Sequence, residues 1–126
     1  LGLGANLRGY TKVTVKKTDW TLEPENRTEQ KGEIKESDVL SEIYYSLNPD
    51  QKLSPMAATC LFSHILDYLN EDGDIVGRVG ICHAPQLGTN HHAVLVKTDS
   101  NGETISRAGI VIPDAELTTN LVENYL

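Results

Sequence analysis

His91-His92-Ala93-Val94-Leu95-Val96-Lys97-Thr98, followed by Asp99-Ser100-Asn101-Gly102 and then Glu103 to Ile112, is the stretch whose reading decides the fold. An apolar strand, a turn made of Asp, Ser, Asn and Gly, and a second apolar strand form a β-hairpin signal. Working backwards, Ile75 to Cys82 carries Val76, Val79 and Ile81 and predicts a strand before the hairpin. The loop His83 to Asn90, with one proline and one glycine, separates the two. Working forwards, Pro113 ends the hairpin and Asp114 can cap a last helix with Leu117, Leu121, Val122 and Tyr125 on its buried side.

The first half of the chain is read the same way. Leu1 to Gly9 has little pattern and is expected to be a loose arm. Tyr10 to Lys17 alternates polar with apolar side chains, which predicts a short strand at a sheet edge, with Trp20 and Leu22 anchoring its end. The run Asp19 to Lys35 is dense in charged and small polar residues and predicts a solvated loop. Ser37 or Asp38 can cap a helix to about Leu47 with Val39, Leu40, Ile43, Tyr44 and Leu47 on one stripe. Ser54-Pro55 then opens a second expected helix, with Leu61, Ile65, Leu66 and Leu69 pointing inward and Asn70 to Gly73 closing it.

A chain of 126 residues with 39% hydrophobic and 23% charged residues is expected to be one folded domain. Residues 1–36 form its N-terminal strand and polar loop, and 54–117 its chemical core. The formal charge of -7 repels phosphate backbones and anionic lipid, so neither nucleic acid nor membrane is expected as a partner. The longest apolar runs are too short to span a bilayer. The chain opens at Leu1, so any targeting segment is out of view. Two cysteines do not make a disulfide framework, and a cytoplasmic home, or delivery into a host cytoplasm, is the expectation.

Cys60 is the sharpest candidate for chemistry, since a thiol becomes a nucleophile where a helix N-terminus or an imidazolium lowers its pKa. If Thr59 is the helix cap, Cys60 lies in the first turn, among free backbone N–H groups; if Ser54 is the cap, it lies in the second turn and loses most of that help. The alternative is a small buried hydrophobe. His91 and His92 point to opposite faces of their strand, His92 with Val94 and Val96, so one of them alone faces a helix packed over the sheet. Hairpin geometry returns Asp114 to the start of the histidine strand, where a carboxylate can hold the imidazole tautomer; it serves equally as a plain helix cap. Cys82 and His83, at a strand end, can line the same cleft. Cys60 with His64, together with Cys82, His83, His91 and His92, also invites a metal reading, but no Cys-x2-Cys or His-x3-His pair is present and neither a metal nor a cofactor is expected.

These residues resemble the papain-like cysteine enzymes, most nearly the compact branch of transglutaminase-like proteins, arylamine N-acetyltransferases and bacterial toxin deamidases. Cys60-Leu61-Phe62-Ser63-His64-Ile65-Leu66 is similar to the nucleophile helix, Gly77-Arg78-Val79-Gly80 to the following strand, His92-Ala93-Val94-Leu95-Val96 to the histidine strand, and Ile112-Pro113-Asp114 to the segment with the terminal Asp. The chain departs from the family in having Thr59 and Leu61 around the cysteine and Pro-Asp instead of Asp-Pro. The resemblance implies an α+β fold with the Cys60 helix packed on an antiparallel sheet. It also implies a Cys60, His92, Asp114 triad acting on a glutamine amide or a peptide bond of a protein substrate. The acidic charge favours a substrate with a basic face. The competing expectations are an acidic protein-interaction module without activity and a Cys/His metal-binding domain.

Overall fold

The computed structural model describes residues 7, 9–19, 22–51, 62–84, 89–99, 101 and 103–126, with the backbone alone for 82–84, 89–98, 104 and 106. They form an α+β architecture whose six-stranded antiparallel sheet has the order β2-β1-β3-β4-β5-β6. The strands are β1 (Tyr10–Thr18), β2 (Glu29–Ile34), β3 (His64–Asn70), β4 (Ile75–Ala84), β5 (Thr89–Thr98) and β6 (Thr104–Val111). Two helices, α1 (Ser37–Ser46) and α2 (Ala115–Glu123), pack on each other, and α2 lies over β4 and β5.

The register explains which face the helices cover. Val13 and Val15 of β1 stand opposite Tyr68 and Leu66 of β3, and Leu66 stands opposite Val79 of β4. All five are fully buried, as are Ile34 and Ile81 of the sheet, Ile112 just after β6, and Ile43, Leu47, Ala115 and Val122 of the helical layer. Burying each large aliphatic or aromatic side chain stabilises the fold by about 1.5–3 kcal/mol. At one end of this core Tyr10 meets Tyr68 edge-on with centroids 5.0 Å apart. Burial, and then the nearby phenols Tyr10 and Tyr44, push the Tyr68 hydroxyl far above its usual range, so it stays neutral.

The β5–β6 hairpin and β4 form where the apolar pattern predicts them, but β4 runs on to Ala84 and β5 begins at Thr89, so His83, Ala84, Thr89 and Asn90 of the expected loop are strand, with Ala84 paired to Thr89. The side chain of Asp99 builds the turn, its Oδ1 accepting from the backbone N–H groups of Asn101 and Glu103 at 2.9 Å each. Asp114 does cap the last helix, accepting from Leu117 N at 3.0 Å. The buried stripe of α2 is Ala115, Thr118, Thr119 and Val122, however, and Leu117 is half exposed instead of inward. In α1 the N-cap position is Glu36 and makes no side-chain cap bond, so Ser37 and Asp38 fall inside the first turn and do not cap it. There the carboxylate of Asp38 still opposes the positive end of the helix dipole.

Two further expectations are overturned. Ile65, Leu66 and Leu69 lie on strand β3, not on a helix running to Leu69, because the chain here is paired on both sides, by β1 and by β4. Their spacing fits a helical stripe, but the alternation His64, Leu66, Tyr68 buries a strand face equally well, and long-range pairing decides. Within the expected loop Asp19 to Lys35, Glu29–Ile34 is strand β2, which makes β1 an inner strand and not the edge. As an edge strand β2 buries only one side chain, that of Ile34, so a charged sequence suffices. Leu22, expected as an anchor, is exposed, while Trp20, Leu1 to Asn6 and Lys52 to Leu61 lie outside the described residues.

Gly32 in β2 lets the C-terminus seat itself, since a Cβ there would stand 1.8 Å from the carbonyl oxygen of Tyr125. On β4, Gly80 lies between the buried Val79 and Ile81 and so faces away from the helices; a Cβ there would be 2.7 Å from the ring of Phe62. The Phe62 ring, just before β3, therefore lies on the sheet face opposite α1 and α2. Gly32→Ala is expected to cost about 2 kcal/mol by forcing the C-terminal residues off β2. Thermal unfolding checks this, and an unchanged midpoint would contradict the close seating.

Candidate functional site

One end of the sheet gathers most of the groups able to do chemistry. Along it, Lys17 of β1 is opposite His64 of β3, His64 is opposite Ile81 of β4, Cys82 is opposite His92 of β5, and His92 is opposite Val111 of β6. Three residues beyond Val111, Asp114 begins α2. The register thus brings His92 and Asp114 to the same end, with the backbone of His83 and His91 beside them. Thr59 and Cys60 lie outside the described residues, and the described chain resumes at Phe62, whose ring lies on the sheet face opposite α1 and α2. Asp114 is exposed and spends Oδ1 on the helix cap, which leaves a carboxylate further acceptor sites.

At the same end lies a hydrogen-bonded chain that the sequence pattern does not assemble. The imidazole of His64 is 3% exposed and bridges two partners: Nδ1 is 2.8 Å from Ser63 Oγ and Nε2 is 3.0 Å from Glu123 Oε1. The same Glu123 oxygen accepts from Lys17 Nζ at 2.6 Å. Ser63 Oγ in turn donates to the carbonyl of Ile81 at 3.1 Å. Partial burial raises the Glu123 pKa, but the hydrogen bonds from Lys17 and His64 and their charges outweigh it, so the carboxyl sits below its ordinary value. The group ties three elements together, β1 through Lys17, β3 through His64 and the Ser63 that precedes it, and α2 through Glu123.

The signal that could have found it was slight. Glu123 lies four residues after buried Thr119 and one after buried Val122, so a charge borders the inward stripe of α2. His64 was legible only as a possible metal ligand beside Cys60. Among the described residues no cluster of three His, Cys, Asp or Glu side chains is arranged to hold a metal ion. None of the described helices is long and apolar enough to cross a membrane. No protein-family model, curated protein or solved structure matches the chain.

Removing the ammonium that lowers the Glu123 pKa has a defined consequence. A carboxyl depressed in the folded state contributes stability that is present above its unfolded value of about 4.3 and is lost as pH falls through the folded value. Lys17→Met is expected to move the Glu123 titration upward and to shrink that acid-side loss. Glu123 is over a third exposed, so the stability change stays below about 1 kcal/mol. Carbon-13 NMR titration of the carboxyl checks it, and an unmoved titration would contradict the assignment.

Proposed function

We propose that this chain is a cysteine-dependent acyl-transfer enzyme with a papain-like core, in which Cys60 is the nucleophile, His92 the base and Asp114 the group that orients the base. The observation that carries the reading is the register of β5: His92 stands opposite Val111, three residues before Asp114, at the sheet end where β3 starts four residues after Cys60. The Phe62 ring on Gly80 supports it further, since Gly80 stands opposite Val94, two residues from His92 on the same strand. The helix that would carry Cys60 belongs to this proposal, packed on the sheet face opposite α1 and α2. Thr59, Cys82, His83 and His91 are its cleft residues.

In the proposed reaction the Cys60 thiol passes its proton to His92, and the thiolate attacks the carbonyl carbon of a glutamine side-chain amide or a peptide bond. Backbone N–H groups beside Cys60 steady the oxyanion. Collapse of the tetrahedral adduct breaks the C–N bond, and the imidazolium returns the proton to the leaving amine or ammonia. The thioester left on Cys60 is opened by water, giving hydrolysis or deamidation, or by an amine, giving transfer. Asp114 accepts from the imidazole N–H and fixes its tautomer. With its charge of -7 the protein suits a protein substrate that presents a basic face, and no cofactor takes part.

Asp114 already has a structural role, so its test separates the two duties. Asn is as good a helix cap as Asp, whereas Ala costs about 1 kcal/mol. Asp114→Asn should therefore leave the melting point in place but lower the rate of ammonia release from a basic glutamine-containing peptide by about 10²-fold or more. His92→Ala should slow iodoacetamide labelling of Cys60 in the native protein about tenfold or more. Labelling seen only after unfolding would replace this reading with an acidic interaction module, and stoichiometric zinc in the purified protein would replace it with a metal-binding domain.

A further inference from the structure

The charges of this chain are divided unevenly between its two layers. Glu36 to Asp50 and Pro113 to Leu126, which hold α1, α2 and their ends, carry seven of the 18 Asp and Glu and none of the 11 Lys and Arg. The rest of the chain is left with 11 of each sign, so the whole formal charge of -7 belongs to the helical layer. Glu123 is paired with Lys17 of the sheet. Glu36, Asp38, Glu42, Asp50, Asp114 and Glu116 are all exposed, and among the described residues none of them makes an ion pair.

Two apolar side chains lie among these carboxylates. On α1 the outward stripe is Asp38, Ser41, Glu42 and Tyr45, at three- and four-residue steps, opposite the buried Leu40, Ile43 and Leu47. On α2 it is Glu116, Leu117 and Asn120. The helices touch where Thr118 Oγ1 donates to Ser46 Oγ at 2.7 Å, so Tyr45 and Leu117, each one residue earlier, stand within a turn of that contact. Tyr45 is 71% exposed and Leu117 50%. Burial first, and then the charges of Glu36, Asp38 and Glu42, raise the Tyr125 phenol above its ordinary pKa, so the field of the acids is felt within the layer. Asp38 and Glu42, four residues apart on one helix face, also repel each other, and a cationic partner relieves that repulsion.

We propose that the outer face of α1 and α2 is a docking surface for a polypeptide rich in Arg and Lys. Its ammonium and guanidinium groups meet the carboxylates, and its apolar side chains, or the flat face of an Arg, cover Tyr45 and Leu117. The same charges disfavour other occupants. A second copy brings either an identical acidic face or a sheet layer without net charge, and nucleic acid and anionic lipid are repelled. Among the described residues the acids converge on no metal site. Asp114 lies at the rim of this face, so in the proposed enzyme a basic substrate docked here is next to the acyl-transfer centre. The docking surface itself rests on the placement of charge and stands without Cys60.

Titration of the nitrogen-15-labelled full chain with a synthetic peptide of alternating Arg, Lys and Leu tests this by NMR. Backbone shifts should concentrate in 36–50 and 114–126, and the affinity should fall as salt rises. Glu42→Lys combined with Glu116→Lys should weaken binding about tenfold or more, and Tyr45→Ser, at unchanged charge, about threefold or more. Glu71→Lys combined with Asp72→Lys makes the same change of net charge at the exposed β3–β4 turn and should weaken binding less than about twofold. All these positions are exposed, and unchanged melting points check that the variants fold. Cys60→Ser should bind as the wild type does, which separates this surface from the fate of the acyl-transfer reading. Equal losses in the two charge-reversed variants, shifts spread over the sheet, or no binding tighter than about 1 mM would overturn the docking surface.

Discussion

The row of cross-strand neighbours that runs from Lys17 to His64, Ile81, Ala93 and Ile110 is the constraint on which the structure depends. Because side chains alternate along a strand, this row settles which residues meet the helices and which look away. It places Ile81 and Ile110 in the core with Val15, Leu66 and Val79, and it turns Gly80 toward Phe62. Slipping β4 by one residue would aim Arg78 at the helices and Val79 at the opposite face. Such a shift would strand the Arg78 guanidinium away from Asp67, with which it now makes a cross-strand ion pair.

The same row brings polar groups to one end of the sheet, and α2 connects them. Its first residue follows Asp114, and its last is Glu123, whose carboxylate takes hydrogen bonds from His64 and Lys17. A helix of nine residues is short for independent stability, so its position is set by its caps, by the buried stripe through Val122 and by this ionic end. Thr118 adds a hydroxyl bond of 2.7 Å to Ser46 of α1. In the proposed enzyme, the cap of α2 supplies the orienting carboxylate of the acyl-transfer centre, and the far end of the helix is tied to the sheet through Glu123.

Much of the architecture was legible wherever local pattern and tertiary context agree. The alternation in Tyr10 to Lys17, the apolar runs of β4 and β5, the Asp99 turn and the Asp114 cap all describe their own neighbourhoods, and the structure has them where the pattern puts them. The errors fall where partners distant in sequence decide. The inward face of β3 satisfies a helical period and a strand period together, and only β1 and β4 choose between them. The charged β2 carries no apolar signal, because an edge strand lying in water needs almost none. The bond between His64 and Glu123 spans 59 positions, and no local spacing announces it. For the candidate triad, the register of His92 and the place of Asp114 are now fixed by structure, whereas Cys60 was singled out by residue type and order along the chain.

The reactivity of the Cys60 sulfur tests the central claim most directly. In a Cys82→Ser background, the rate of its alkylation by iodoacetamide can be followed in the native protein across pH. A thiolate kept ionised beside an imidazolium gives a rate that is already near its maximum at about pH 6 and changes little up to pH 8. An ordinary or sealed thiol gives a rate that climbs about tenfold per pH unit over that range, or no labelling until the protein unfolds, and either result would contradict a catalytic Cys60.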